Sequence, residues 1–131
     1  MNDKSKHINY WQSTAIDDLE TVDFLFIAKK YVQALFFTHL AIEKILKAHW
    51  VKCNTENIPP KTHSLLYLHQ NTTLNLSEDE TDFLQKLTAY QIEGRYPDYL
   101  GHLHKATQKE DTEIIINQAK ILFKCLLEKL H

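Results

Sequence analysis

Residues that break regular secondary structure are scarce in this sequence. Its 131 residues include only two glycines and three prolines. These two residue types supply most tight turns, so their scarcity favours a few long helices over many short strands. The two cysteines, Cys53 and Cys125, are isolated and form no C-x-x-C pair. Such thiols are typical of a reduced, cytosolic protein, and nothing in their surroundings indicates a nucleophile.

Long apolar runs and a strong charge of either sign are also missing. No apolar run approaches the roughly 20 residues that span a bilayer. The polar start, Met1 to Lys6, lacks the apolar core of a signal peptide. We therefore expect a cytoplasmic protein that makes no contact with a membrane. The net charge of −2 argues against nucleic-acid binding driven by overall charge, but it leaves a local basic site open.

The composition is that of a globular protein. Hydrophobic residues make up 44% of the chain and charged residues 24%, close to the averages for folded domains. A length of 131 residues fits one domain with a core of its own. We expect residues 1–131 to form a single domain.

Apolar residues recur at helical spacing in four segments. The pattern predicts long helices over residues 8–28, 31–51, 77–97 and from about 107 onwards, with a short helix over 64–70. The first two long helices meet at Lys29-Lys30, although one bent helix stays possible. Two capping boxes, Ser77-x-x-Glu80 and Thr107-x-x-Glu110, mark later helix starts. The predicted fold is all-α: an up-and-down antiparallel four-helix bundle with one short extra helix.

Two polar groups in the first half of the chain are open to more than one interpretation. Glu43 and Lys47 are spaced by four residues, which most simply predicts an ion pair on a solvated helix surface. Thr62 or His63 lies at the start of the short helix, and a hydrogen bond from His63 across the bundle would order the loop. The functional alternative for His63 is contact with a ligand or phosphate near a helix N-terminus.

The sequence RYPD at residues 95–98 is the most distinctive polar segment. In a structural role, Arg95 would form a salt bridge with Asp98 and Tyr96 would fill the core. In a functional role, Arg95 would offer a bidentate fork to a phosphate, and the ring of Tyr96 would stack on a base. The two interpretations are evenly balanced.

Metal and cofactor sites are not expected. His102 and His104 lie close together, but zinc needs three or four protein ligands and no further Cys or His cluster is near in sequence. A glycine-rich phosphate loop is also missing from the sequence. We predict no metal site and no cofactor.

Several of these segments occur in an order that resembles the HEPN family (higher eukaryotes and prokaryotes nucleotide-binding domain). The landmarks are an early Trp11, AIDDL at 15–19, AIEKILKA at 41–48, THSL at 62–65 and RYPD at 95–98. The resemblance covers nearly the whole chain, from Trp11 to about Leu127. It implies a helical bundle that forms a homodimer, a nucleotide or RNA ligand, and a minimal nucleotidyltransferase as partner protein.

The resemblance also implies one of two functional branches. Some HEPN proteins are metal-independent endoribonuclease toxins whose signature is an arginine, four to six residues, and then a histidine. Arg95 and His102 match this spacing, and they would stabilise charge on the phosphate and act as general acid or base at the ribose 2′-OH. However, Tyr96 replaces the usual small polar residue, and Pro97 interrupts the helix on which the signature normally lies.

We therefore expect a non-catalytic nucleotide- or RNA-binding module. The expected binding residues are Arg95, Tyr96 and Asp98, followed by Lys47, Glu43 and His63. The alternatives are a metal-independent endoribonuclease that uses Arg95 and His102, and a dimerising adaptor that binds only a partner protein.

Overall fold

The computed structural model describes residues 2–95 and 108–131, with only the backbone of residues 92–95. These residues contain five helices and no strand, which confirms the all-α prediction. The helices are α1 (Asp3–Ile27), α2 (Tyr31–Cys53), α3 (Leu65–Gln70), α4 (Glu78–Arg95) and α5 (Lys109–Lys129). None of the helices in the described ranges is long and apolar enough to cross a membrane.

Helices α1 and α2 are separate, as the Lys29-Lys30 junction predicted. Lys29 adopts a left-handed conformation with φ of 62°. The backbone N–H of Lys30 donates to the carbonyl of Leu25 at 2.9 Å, which closes the end of α1. Helix α1 begins at Asp3, five residues before the predicted start at residue 8, because the Asn2 side chain caps the helix by accepting from the Ser5 N–H at 2.8 Å.

Helix α2 lies at the centre of the fold and contacts each of the other four described helices. Its predicted apolar stripe is completely buried. The buried stripe consists of Ala34, Leu35, Thr38, Ala41, Ile42, Ile45, Leu46 and Ala48. The small alanine side chains let neighbouring helices pack closely against α2 on several sides. Each large apolar side chain buried there stabilises the fold by roughly 1.5–3 kcal/mol.

Long-range polar contacts fix the direction of α1 relative to α2. Lys4, at the start of α1, donates from Nζ to the carbonyl of Val51 at the end of α2, at 2.8 Å. Midway along both helices, Lys44 Nζ lies 2.7 Å from Asp18 Oδ2. The two helices therefore form an antiparallel hairpin.

Helix α5 is antiparallel to both α1 and α4. Asp23 of α1 pairs with Lys120 at 2.6 Å, whereas Gln12 reaches His131 beyond the end of α5. The first turns of α4 and the last turns of α5 line a shared groove, and the charge of Asp111, in the first turn of α5, acts on Tyr90 towards the end of α4. The four long helices thus alternate in direction, as predicted.

The two predicted capping boxes differ in outcome. The Ser77 N–H donates to Glu80 Oε1 at 2.9 Å, and the Glu80 N–H donates to Ser77 Oγ at 3.1 Å, so the first box is confirmed. Helix α5 instead begins at Lys109 with Gln108 as its N-cap, and the Gln108 side chain makes no capping hydrogen bond. Thr107, the predicted cap, lies outside the described residues.

Candidate functional site

Glu43 and Lys47 form an ion pair inside the protein. Lys47 Nζ lies 3.0 Å from Glu43 Oε2, and the two residues are only 8% and 3% exposed. The prediction of a solvated surface pair is wrong. The reason lies in the tertiary packing, because α1 and the loop before α3 cover this part of α2. Side chains with this spacing usually face water, but here Lys47 faces Trp11 and Glu43 faces His63.

His63 closes the other side of the Glu43 carboxylate. Its Nδ1 lies 2.9 Å from Glu43 Oε1. An ionised carboxylate can only accept, so Nδ1 carries a hydrogen and donates the hydrogen bond to Glu43. The His63 side chain is 47% exposed, so the cluster reaches the surface through this imidazole. The predicted hydrogen bond across the bundle is confirmed.

The short helix α3 is capped by Ser64, the residue that directly follows His63. The Tyr67 N–H donates to Ser64 Oγ at 3.2 Å, and the Ser64 N–H donates to Thr62 Oγ1 at 3.1 Å. These local bonds hold the residues on both sides of His63. The imidazole is therefore positioned by its own loop as well as by Glu43.

A second histidine, His39, belongs to the same cluster and was not singled out from the sequence. It is fully buried one turn before Glu43, and its Nδ1 lies 3.8 Å from Glu43 Oε1. His39, Glu43 and Lys47 recur every four residues, which places three polar groups on one face of a largely buried helix. This four-residue spacing is the feature of the sequence that could have identified His39 as a member of the cluster.

Trp11 completes the cluster from α1. Lys47 Nζ lies 5.2 Å from the centroid of the Trp11 ring. At this distance the negative face of the ring attracts the ammonium group. Trp11 was noted as a landmark of the sequence but not as a site residue, because only the packing of α1 on α2 brings it to Lys47.

The arrangement combines a buried carboxylate with several partners that are or can be cationic. Lys47 neutralises Glu43, and His63 can exchange a proton or donate a hydrogen bond through a solvent-accessible edge. Such a group can contact a phosphate or take part in general acid–base chemistry. Within the residues that the structure describes, no group of three or more His, Cys, Asp or Glu side chains is placed to hold a metal ion.

The remaining predicted site residues come from the segment that begins with RYPD. Tyr96, Asp98 and His102 lie outside the described residues, as does His104. Arg95 is the last residue of α4, and its side chain is not described. The structure thus brings together Glu43, Lys47 and His63 from the predicted set.

Comparison with known proteins agrees with the fold and with the order of the sequence landmarks. The family model of the HEPN domain matches residues 8–130. No curated protein and no solved structure gives a match. Because the family model spans nearly the whole chain, the protein belongs to the HEPN family, whose domains are helical modules of nucleotide and RNA biology.

Proposed function

We propose that this protein is a nucleotide- or RNA-binding module that works as a homodimer with a minimal nucleotidyltransferase as its partner, in a toxin–antitoxin type of system. The observation that carries the proposal is the buried cluster of Glu43, Lys47 and His63. Its charged groups are held in the protein interior, yet one imidazole reaches solvent. The HEPN family membership supports the same class of function.

Stability alone is a weak reason for such a cluster. Removing two charges from water costs more than their attraction often returns, and apolar replacements of buried ion pairs are frequently neutral or stabilising. A binding role explains the retained charges better, because Lys47 offsets the charge of Glu43 and leaves the exposed His63 imidazole to recognise an anion. Phosphate is the anion that the family membership points to.

The RYPD segment extends the proposed site. Arg95 would grip a phosphate through two parallel N–H bonds, and Tyr96 would stack on a base. Asp98 would hold Arg95 in position. Arg95 is the only arginine in the chain, so its removal deletes the only guanidinium group available for this role.

Calorimetric titration with ATP and with a ten-nucleotide single-stranded RNA tests the proposal. Wild type should bind at least one of the two, and His63→Ala and Arg95→Ala should weaken that binding about tenfold or more, the loss of a charge-assisted hydrogen bond. The matched control is His131→Ala, which removes an exposed histidine that is not part of the cluster. This variant should bind as wild type does. If wild type binds neither probe, the proposal is wrong and a protein-binding adaptor is favoured.

The second candidate function is a metal-independent endoribonuclease, favoured by the six-residue interval between Arg95 and His102. His102 would move the proton of the ribose 2′-OH, and Arg95 would stabilise the phosphate charge that develops during cleavage. Induced expression of wild type, Arg95→Ala and His102→Ala, with growth and RNA integrity as readouts, tests it. Growth arrest and RNA loss only with wild type support cleavage. Harmless wild type with intact RNA contradicts it.

A further inference from the structure

A groove with a volume of about 440 Å³ lies beside the buried cluster. Its walls come from the first helix and from the loop between α2 and α3. The lining residues are Lys6, His7, Tyr10, Trp11, Ile58 and Pro59. Trp11 belongs to both features, because its ring lines the groove and also lies beneath the Lys47 ammonium group. The groove therefore adjoins the cluster.

The two walls are held together by Lys4. Its Nζ donates to the carbonyls of Val51 and Asn54 at 2.8 and 2.7 Å, with Glu56 at 3.4 Å. These bonds fix the start of α1 against the chain segment that leads to Ile58. A groove whose walls are fixed beforehand loses little freedom when it binds a ligand.

The inner surface of the groove is largely apolar. The Tyr10 and Trp11 rings meet edge to face, with centroids 5.2 Å apart and planes at 78°. Tyr10 remains 59% exposed, and Ile58 on the other wall is 69% exposed. Large apolar side chains left exposed on both sides of a groove offer a surface for a planar, poorly hydrated group.

The polar groups in the groove select for negative charge. Among the described residues, its lining includes a lysine and a histidine but no carboxylate. Lys6 and His7 form no ion pair or side-chain hydrogen bond with the described part of the chain. They are therefore available to an anion, unlike Lys4, which is committed to backbone carbonyls.

We propose that this groove binds a mononucleotide. The base lies between the Tyr10 and Trp11 rings and the Ile58 and Pro59 wall, and the phosphates lie against Lys6 and His7. The volume fits one ligand of this size and is too small for the long apolar face of a partner helix. This inference rests on the proposed nucleotide- or RNA-binding function and adds a second base-stacking position, on α1, to the one proposed for Tyr96.

Calorimetric titrations with ATP and with adenosine test the groove. Tyr10→Ala should weaken the binding of both probes about tenfold, because stacking on the base is lost. Lys6→Gln should weaken the binding of ATP and leave the binding of adenosine unchanged, because only the phosphate contact is removed. The controls are Phe24→Ala, another exposed aromatic residue of α1 at 75% exposure, and Lys86→Gln, an exposed lysine of α4. Both controls should bind as wild type.

The outcomes separate this inference from the function on which it rests. If wild type binds ATP and Tyr10→Ala binds it equally well, the groove is not the base site, although the proposed function stands. If wild type binds the single-stranded RNA but not ATP, the mononucleotide site is likewise wrong. If wild type binds neither ATP nor RNA, both proposals fail. Circular dichroism of each variant confirms that the helices are intact.

Discussion

Individual charged residues in this protein occupy two very different environments. The Glu43–Lys47 pair is buried beneath α1, whereas Asp23 and Lys120 meet at the surface with side chains 57% and 38% exposed. Both pairs have N–O distances of 3.0 Å or less. The N–O distance therefore does not decide how much each pair contributes to stability. The dielectric environment around the pair decides it.

Truncating the lysine of each pair should have unequal effects on folding. Lys47→Ala leaves the Glu43 carboxylate buried without its cation and should lower the free energy of unfolding by about 3 kcal/mol. Lys120→Ala should lower it by less than about 1 kcal/mol, because water screens the exposed pair. Urea denaturation measures both. Equal losses of unfolding free energy would contradict the view that burial makes the Glu43–Lys47 pair more important for stability.

The sequence indicated which residues pair at this site but not where they lie. The four-residue spacing predicted the Glu43–Lys47 pair, and His63 was expected to hydrogen-bond across the bundle. Burial of the pair depends on α1 and the loop before α3, which no local pattern encodes. For the same reason, the contact of Trp11 with Lys47 became visible only in the packed fold, whereas the four-residue spacing to Glu43 was a sequence signal for His39.

Helices and turns were predicted more closely than the site. Helix α2 begins at Tyr31, as its apolar spacing predicted, and the Ser77–Glu80 capping box forms. The errors lie at helix starts. Asn2 caps α1 earlier than apolar spacing indicates, since capping is decided by a polar residue outside the stripe.

The turn between α1 and α2 allows a test at the level of one element. Lys29 has φ of 62°, a conformation that costs a side chain with a Cβ and suits glycine. Lys29→Gly should therefore raise the free energy of unfolding by up to about 1 kcal/mol. Lys30→Gly is the matched control. Its φ of −93° gives glycine no advantage, so the added freedom of the unfolded chain should lower stability.

Thermal unfolding of the two variants distinguishes relief of strain from a general effect of glycine. A melting temperature that rises for Lys29→Gly and falls for Lys30→Gly supports the argument. A fall in both would show that the left-handed conformation of Lys29 carries little strain.

Across the whole molecule, His49 joins the central helix to the last one. The residue is buried, and its Nε2 lies 2.7 Å from the Leu126 carbonyl, to which it donates. Desolvation by burial lowers the pKa of His49 below 6.5, while the bond to Leu126 opposes the shift. The unfolded chain therefore binds this proton more readily than the folded one does.

Folding stability should consequently depend on pH. The contribution of neutral His49 is fully present above its unfolded pKa of about 6.5 and is lost as the pH falls through the lower folded pKa. We expect the melting temperature to fall between pH 7.5 and 5.5. His49→Gln, whose amide can also donate to Leu126, should reduce this fall. Some dependence should persist, because burial also lowers the pKa of His69.

The matched control for the pH dependence is His131→Gln at the exposed end of the chain. This variant removes a charge that adds to the lowered pKa of His49 but keeps the burial that is its main cause, so most of the wild-type fall in melting temperature should remain. If His49→Gln and wild type lose stability equally, the proton linkage belongs to other groups.

The central position of α2 has a consequence for how this protein can diverge. The same helix supplies more buried apolar residues than any other described helix, and it also supplies Glu43 and Lys47, so a change there alters folding and the cluster together. Tyr10 and Ile58 lie on the surface, where substitutions usually change stability by no more than about 0.5 kcal/mol. Descendants of this sequence are thus free to acquire new ligand preferences through the groove while the central helix stays under constraint.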